Sequence, residues 1–573
     1  MLRKLVRKIK KIIDPAHRAG LKYQDINPED IFLDSTNLPG FEEHRFEGRM
    51  EKPMVERTFF IVKIVLILIV LAMVSKLWSL GIKQGQTYVQ ISDNNRLEQT
   101  LIFANRGLIL DRNMRELATN AIKVEGSDFA SRVYPPIEGL AHTVGYIKYP
   151  LVDRTGFYYE ENYRGRDGVE RSFNDVLKGE NGLKLRETDV FGAVTSESIV
   201  RPPIDGEPLI LSVDSRLSEV LYLAMGSLAK DKGFVGGAAV FMDVRTGEIL
   251  AMASYPEYDQ NTLTNGSDQT RINSLLNSKA KPFLNRAIGG LYTPGSIVKP
   301  IIAMAALNEK IISPDKQILS TGSIKVENPY DPTKSSIFKD WKAHGLTDMR
   351  RAIAVSSDTY FYTVGGGYGD QKGLGITLLD KYFKTFGLTE KTGVDLLGEV
   401  EGVIPTPEWK KEKFNDEIWR LGDTYITSIG QYGTQITPIN AARYVTTIAN
   451  GGDILTPSLL FGGNKNPVQR TLELNEKDWR IVREGMRDAV LYGTSVGLNV
   501  PYVKAAGKTG TAEVGSAKLY VHSWSVGFFP FDNPRFAWAT VMEKGPSSNT
   551  LGATSVVRKL FDWMAVNTPE YFE

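Results

Sequence analysis

The stretch that decides the fold runs from Thr293 to Lys310 and reads TPGSIVKPIIAMAALNEK. Its Thr-Pro-Gly turn and the apolar run behind it predict a helix beginning close to Ser296, because proline is favoured in the first helical turn. A serine there lies where backbone N–H groups favour negative charge. Lys299 follows one turn later on the same face, so it can share a proton with the serine. The stretch therefore predicts a nucleophile together with its base.

The spacing Ser-x-x-Lys is weak evidence when it stands alone. It occurs five times in the chain, at Ser227, Ser278, Ser296, Ser313 and Ser336. An arbitrary match is most often a solvated surface pair, and four of the five lack a turn that opens a helix. Ser296 combines that setting with two further strings downstream, so it is the predicted reactive serine.

The two companion strings are Ser356-Ser357-Asp358 and Lys508-Thr509-Gly510-Thr511. The first string alone would be read as a helix-capping serine beside a surface acid. A second K-T-G at Lys391 follows a predicted helix end, where an ordinary charged terminus is the simpler interpretation. Lys508 instead precedes two strand-like segments, 519–529 and 535–543, which predicts a sheet edge. Such an edge can present an ammonium and hydroxyl groups while its backbone pairs with an extended peptide.

Length and composition narrow the choices. A chain of 573 residues exceeds the usual size of one hydrophobic core, so we expect more than one domain. The net charge of +2 gives no indication of nucleic acid, and the absence of cysteine excludes disulfides and thiolate metal sites. Asp340 and His344 could suggest a metal, but two ligands are weak evidence, and an ordinary surface pair is expected. No cofactor is predicted.

Residues 59–80, FFIVKIVLILIVLAMVSKLWSL, predict a single membrane helix. At about 1.5 Å per residue, this length covers roughly 33 Å, enough for a hydrocarbon core of about 30 Å. Lys63 and Lys76 lie near its ends, where their ammonium groups can reach the lipid headgroups. A buried core helix and an uncleaved signal are the alternatives. The long upstream segment and the lack of a small-residue cleavage pattern argue against a cleaved signal.

The remaining pattern predicts four segments. Residues 1–57 carry twelve Lys or Arg, which predicts a cytoplasmic tail, and its start reads as a basic amphipathic helix for a membrane surface or a partner. The membrane helix takes 58–80, and 81–205 forms a mixed, non-catalytic pedestal. From 206 to 573 an α/β domain begins with strand, helix and a hairpin around Arg245-Thr246-Gly247, and its remaining strands follow Lys508.

Several strings resemble the class B penicillin-binding proteins across nearly all of the chain after residue 80. They are ANRGLILDRNMRELATN (104–120), GRDGVERSFNDVLKGENG (165–182), the hairpin and the three motif strings. SSDTYFY (356–362), TGVDLLGE (392–399) and WRLGDTYITSIGQ (419–431) further resemble the elongation group, penicillin-binding protein 2. One departure is that the usual I-G-Q-G reads Ile429-Gly430-Gln431-Tyr432-Gly433 here.

The resemblance implies a penicillin-binding transpeptidase fold, an antiparallel sheet flanked by helices, with the pedestal and one membrane helix. It implies a single-pass protein of the bacterial cytoplasmic (inner) membrane with an extracytoplasmic catalytic domain. The implied reaction crosslinks peptidoglycan stem peptides ending in D-Ala-D-Ala through a serine acyl-enzyme, which β-lactam antibiotics also form. A membrane glycan polymerase of the elongation complex is the implied partner.

The residues then take roles. Ser296 is the predicted nucleophile and Lys299 the general base, whose proton affinity must be lowered by burial or by a nearby cation such as Lys508. Ser356 relays a proton to the departing amine, and Asp358 orients Lys299 or the substrate. Lys508, Thr509 and Thr511 hold the donor carboxylate, while Gly510 lets the peptide approach the strand. The resemblance adds the backbone N–H groups of Ser296 and Thr511 as the oxyanion hole.

Two other functions remain open at this stage. A β-lactamase or D,D-carboxypeptidase shares all these residues and differs in a positioned base for deacylation, which the segment between Ser356 and Lys508 does not reveal. A non-enzymatic β-lactam receptor would signal through the tail, but the tail contains no recognisable effector domain.

Overall fold

The computed structural model describes residues 56–89, 97–122, 127–154, 156–188, 194–328, 331–515 and 517–573. The chain divides into two compact units, Met1–Asn95 and Arg96–Glu573. The predicted basic amphipathic helix and nearly all of the predicted cytoplasmic tail lie outside the described residues.

The first unit contains helix α1 (Glu56–Trp78), which continues as a π-helical turn over Ser79–Lys83. The stretch Phe59–Lys83 is 25 residues long and is, among the described residues, the one helix long and apolar enough to cross a membrane. Its apolar side chains are exposed within the chain, as expected for a helix whose contacts are supplied by lipid.

The segment predicted as the pedestal contains, among its described residues, short strands and short helices. The strands are β1 (Leu97–Ile102), β2 (Ile109–Leu110), β3 (Glu116–Asn120), β4 (Arg132–Val133), β5 (Ile147–Lys148), β6 (Leu151–Val152), β7 (Tyr158–Glu160), β8 (Arg164–Gly165), β9 (Gly182–Thr188) and β10 (Val194–Arg201). The helices are α2 (Ala141–Val144), α3 (Gly168–Ser172) and α4 (Asn174–Leu177). One sheet has the order β1-β9-β10, and the pairs β5-β8 and β6-β7 form two small ribbons.

The predicted α/β domain, residues 206–573, is built from longer elements. Its strands are β11 (Leu209–Ile210), β12 (Gly236–Asp243), β13 (Ile249–Tyr255), β14 (Ile318–Ser320), β15 (Ser323–Asn328), β16 (Asp331–Lys339), β17 (Gly345–Thr347), β18 (Asp453–Leu455), β19 (Val468–Thr471), β20 (Ala506–Val514), β21 (Tyr520–Phe529) and β22 (Phe536–Pro546). Its helices are α5 (Ser215–Lys232), α6 (Gln260–Asn265), α7 (Gln269–Leu276), α8 (Arg286–Gly289), α9 (Lys299–Asn308), α10 (Met349–Val355), α11 (Asp358–Gly366), α12 (Gly375–Thr385), α13 (Pro407–Lys413), α14 (Leu421–Thr427), α15 (Pro438–Asn450), α16 (Glu476–Leu491) and α17 (Ala553–Asn567). Short 3₁₀ turns cover Gly295–Val298, Val496–Leu498 and Pro569–Tyr571.

The central sheet is antiparallel and has the order β13-β12-β22-β21-β20. Alternation along β22 assigns its two faces, because successive side chains of a strand point to opposite sides. Phe536, Trp538 and Met542 join the core beneath α5 and α17, whereas Ala539 and Val541 join the larger core that holds α9 and α15. The predicted antiparallel sheet between helices is confirmed, and β20 lies at its edge.

The predicted pedestal packs directly on the predicted α/β domain. Strand β11 pairs in parallel with β2, so the first predicted strand of the α/β domain belongs to a pedestal sheet of order β11-β2-β3-β4. Asp111 accepts a hydrogen bond of 2.7 Å from the Ser215 hydroxyl at the start of α5. Glu257 accepts backbone hydrogen bonds from Gly139 and Ala141 at the start of α2. These contacts fix the pedestal against the sheet.

A buried ion cluster holds the pedestal together. Glu170 accepts from Arg106 Nε at 2.6 Å and from Arg132 Nε at 2.9 Å, and all three side chains are fully buried. Tyr134 donates its hydroxyl to the same carboxylate. Burial raises the pKa of Glu170, but the two guanidinium groups outweigh it, so the pKa lies below its ordinary value. One carboxylate thus offsets two buried cations.

Replacing Glu170 with glutamine should lower the free energy of unfolding by about 3–5 kcal/mol, because it leaves two buried guanidinium groups without a counter-charge. The difference from wild type should shrink in acid, since a lowered folded pKa means that the carboxylate's contribution is lost as the pH falls through it. Urea unfolding of the full chain measures both effects. Glu197→Gln, which removes an exposed partner of Arg186, is the matched control and should leave stability unchanged; an equal loss in both variants contradicts the argument.

Candidate active site

The Ser296 turn is clamped between two other parts of the fold. Ser296 is half-buried and lies in the 3₁₀ turn Gly295–Val298, directly before α9. Gly295 has φ +57°, and its N–H donates to the Gly430 carbonyl at 2.9 Å. A Cβ at Gly295 would lie 3.1 Å from the Thr511 carbonyl oxygen. The residue before the serine therefore touches β20 on one side and the Gly430 loop on the other.

Lys299 is fully buried behind this turn. Its Nζ donates to the Ser356 carbonyl at 2.8 Å, to the Ser356 hydroxyl at 3.3 Å and to Asp358 Oδ1 at 2.6 Å. These three acceptors use all three N–H groups of an ammonium. The sequence predicts a proton shared with Ser296, yet no hydrogen bond joins Lys299 to Ser296 anywhere in the described chain. Lys299 is instead hydrogen-bonded to Ser356 and Asp358.

Ser356 lies in the sharp connection between α10 and α11. It adopts a left-handed backbone with φ +59° as the residue that ends α10, which turns its hydroxyl toward the two lysines. Lys508 Nζ donates to this hydroxyl at 2.8 Å. Because Ser356 Oγ accepts from both ammonium groups, its own proton is not used by either and remains available to a bound substrate.

Asp340 supports this connection from behind, which the sequence did not predict. Its Oδ2 accepts from the Ser357 hydroxyl and from the Thr359 N–H, both at 2.9 Å, at the start of α11. Burial raises the pKa of Asp340, but hydrogen bonds from Thr359 and Asp358 N–H and from Ser357, together with the Lys299 charge, lower it overall. Asp340 therefore caps the helix that carries Asp358.

His344 lies beside Asp340, with Nε2 at 3.5 Å from Oδ1, and the two side chains are 3% and 0% exposed. The prediction of an ordinary surface pair is wrong, because Asp340 is bonded to the start of α11 and the His344 ring packs edge-on against Trp341. Burial lowers the pKa of His344 and outweighs the opposing effect of Asp340. Among the described residues no group of three or more potential metal ligands occurs, and Asp340 is bonded to the start of α11.

The K-T-G string lies on β20, as predicted. Thr509 Oγ1 donates to Thr494 Oγ1 at 2.7 Å, so Thr494 is a neighbour of the predicted carboxylate site that no sequence motif marks. A Cβ at Gly510 would lie 2.6 Å from the Pro294 carbonyl oxygen and 2.9 Å from Ile297. Glycine is therefore required first by the close approach of the Ser296 turn itself, rather than by an incoming peptide.

The electrostatics of Lys508 differ from an ordinary lysine. Burial, and next the Lys299 charge, hold the pKa of Lys508 well below its usual value, while Asp358 opposes the change. The sequence predicts Lys508 as the cation that acts on Lys299, whereas the pKa shift found is that of Lys508, to which the charge of Lys299 contributes after burial. Two ammonium groups, one carboxylate and one hydroxyl thus share one water-poor site, an arrangement suited to moving a proton from an attacking hydroxyl to a leaving amine.

Two protein-family models and a known relative match this chain. A model of the penicillin binding protein transpeptidase domain matches residues 237–562, and one of the penicillin-binding protein dimerisation domain matches 122–211. The chain is similar to the peptidoglycan D,D-transpeptidase MrdA of Acinetobacter baumannii, with 33% identity over 463 residues, 76% of this chain and 66% of that protein.

Solved structures give the same result. A complex between penicillin-binding protein 2 and MreC from Helicobacter pylori matches with a TM-score of 0.68 and 26% identity over 82% of this chain and 99% of that one. A chain from a study of the coordination of polymerization and crosslinking by a peptidoglycan synthase complex matches with a TM-score of 0.68 and 26% identity over 88% and 97%.

The lowered pKa of Lys508 predicts how carboxylate recognition depends on pH. Lys508 is a cation only below its lowered pKa, so the affinity for a penicillin carboxylate should fall as the pH rises through that value. Lys508→Arg should retain part of the binding and lose the pH dependence, because a guanidinium stays charged throughout. Stopped-flow acylation between about pH 6 and pH 10 gives the dissociation constant of the initial complex. A wild-type affinity that is constant over this range contradicts the role of Lys508.

Proposed function

The chain belongs to the penicillin-binding protein transpeptidases, and on that basis we propose that it is a membrane-anchored peptidoglycan D,D-transpeptidase of cell-wall elongation. It crosslinks stem peptides through an acyl-enzyme on Ser296 and is acylated there by β-lactams. The observation that carries the proposal is the meeting of Lys299 and Lys508 at the Ser356 hydroxyl, beside the Ser296 turn.

Acylation begins when the Ser296 oxygen attacks the carbonyl between the two terminal D-Ala residues of the donor. Lys299, in its neutral amine form, takes the hydroxyl proton as the C–O bond forms. The C–N bond then breaks, Ser356 passes its proton to the departing D-Ala amine, and it regains a proton from Lys299, to which it is bonded. The spare proton of Ser356 and its contacts to both lysines support this relay.

Binding and stabilisation come from β20 and the turn. Lys508, Thr509 and Thr511 hold the terminal carboxylate of the donor, with Thr494 orienting the Thr509 hydroxyl. The N–H groups of Ser296 and Thr511 stabilise the oxyanion, and the contact of Gly295 with Thr511 supports their closeness. Removing one such donor typically raises the barrier by about 2.7–4 kcal/mol.

The second half-reaction separates the proposed transpeptidase from a hydrolase. An acceptor amine must attack the ester, whereas hydrolysis needs a carboxylate free to activate water. Asp358 is bound to Lys299, Asp340 caps α11, and Glu513 pairs with Lys518 at the surface. The carboxylates of the described site thus have structural partners, which favours the amine.

The anchor and partners follow from the same proposal. The Phe59–Lys83 helix holds the protein in the cytoplasmic membrane, with the basic tail in the cytoplasm, residues 81–205 as the pedestal and 206–573 outside. A membrane glycan polymerase is the proposed partner, supported by the likeness to a chain of a peptidoglycan synthase complex. Nucleic acid has no part in this function.

Labelling with a fluorescent penicillin tests the nucleophile and its base. The adduct should map to Ser296, and Ser296→Ala should abolish labelling in a protein that stays folded. Lys299→Arg keeps the charge but cannot accept a proton near neutral pH, so acylation should collapse, with a larger loss than in Lys508→Arg. An adduct on Ser227, Ser278, Ser313 or Ser336, or equal losses in the two arginine variants, contradicts the assignment.

A further inference from the structure

Tyr432 occupies an unusual backbone conformation close to the nucleophile. Its φ is +58°, in the left-handed region where a bulky side chain is disfavoured and glycine is usual. A strained residue persists only where its surroundings hold it, and such residues cluster at functional sites. Contacts with surrounding residues must therefore offset the backbone strain at Tyr432.

The loop that carries Tyr432 supports the Ser296 turn directly. Gly430, two residues earlier, accepts the Gly295 N–H at 2.9 Å. A Cβ at Gly430 would lie 2.2 Å from the Gly295 carbonyl oxygen, so the two backbones are in close contact. A shift of this loop by a fraction of an ångström must move Gly295 and, with it, Ser296.

The Tyr432 ring joins an aromatic cluster formed by Trp409, Phe414, Trp419 and Tyr432. Its centroid lies 5.7 Å from that of Trp419, 6.0 Å from Trp409 and 6.5 Å from Phe414. The Lys410 ammonium lies 5.7 Å from the centre of the Tyr432 ring. Ring pairs and cation–ring contacts of this kind are stabilising, and together they offset the strain of the backbone.

The cluster is itself anchored to the fold. Lys410 is buried and forms ion pairs with Asp423 at 2.7 Å and Glu417 at 3.2 Å. Asp423 caps α14, the helix that leads into the Gly430 loop. Tyr432 thus connects the segment 407–419 to the loop on the C-terminal side of Gly430. On the N-terminal side, the loop is held by α14.

We propose that Tyr432 is a positioning residue for acylation: its ring, held by the aromatic cluster, fixes the Gly430 carbonyl that holds Gly295 and so sets the place of the Ser296 oxygen. The proposal rests on the acyl transfer proposed above and adds to it a residue outside the three motifs. Misplacement of a nucleophile by about 1 Å can cost on the order of a hundredfold in rate.

Tyr432→Gly tests this, because glycine relieves the backbone strain while it removes the ring. The first-order rate constant for acylation by a fluorescent penicillin should fall at least about tenfold, while the labelled fraction at completion and the dissociation constant of the initial complex stay near wild type. Tyr432→Phe keeps the ring and should acylate at close to the wild-type rate. A purely structural role would lower the labelled fraction and leave the rate constant of the folded molecules unchanged.

Lys310→Gly is the matched control, since Lys310 is an exposed left-handed residue with φ +52° after α9. It should relieve strain equally and leave acylation unchanged. If Tyr432→Gly does not fold, Trp419→Leu removes one wall of the cluster and should show the same slowing. Wild-type rates in the folded cluster variants overturn the positioning role alone, whereas failure of wild type and Lys310→Gly to acylate overturns the proposed function.

Discussion

Two buried lysines that share one serine hydroxyl are the constraint on which this structure depends. Lys299 and Lys508 are both fully buried, and among the described residues Asp358 is the one carboxylate that accepts a hydrogen bond from either. Burial, and next the charge of Lys299, lower the pKa of Lys508 against the opposing effect of Asp358, which favours the loss of a proton from this site. The residues that would transfer the proton are therefore the same residues that set the charge balance of the site.

The fold keeps these groups together by bringing three distant segments to one place. Helix α9 supplies Lys299, the α10–α11 connection supplies Ser356 and Asp358, and edge strand β20 supplies Lys508. Close backbone contacts lock the arrangement, because Gly510 leaves room for the Ser296 turn and Gly295 fits between β20 and the Gly430 loop. A side chain larger than hydrogen at either glycine would displace the Ser296 turn from β20.

The sequence predicted the parts of the site that depend on local pattern. The Ser296 turn, the β12–β13 hairpin and the edge position of β20 all follow from turn residues, apolar spacing and strand alternation. It could not predict that Lys299 bonds Ser356 rather than Ser296, because that choice depends on where α10 ends in space. The burial of Asp340 and the contact of Thr494 with Thr509 likewise join residues that lie far apart in the chain, and Tyr432 is visible in sequence only as a departure from the I-G-Q-G pattern.

The fate of the acyl-enzyme tests the central claim most directly, since a transpeptidase leaves the ester to an amine and a hydrolase activates water against it. The penicilloyl adduct on Ser296 is formed in the full-length protein, free drug is removed, and the decay of the adduct is followed by mass spectrometry. We predict an adduct that persists for many minutes, because the carboxylates of the described site are bound to structural partners. Loss of the adduct within seconds would instead identify a β-lactamase and contradict the account.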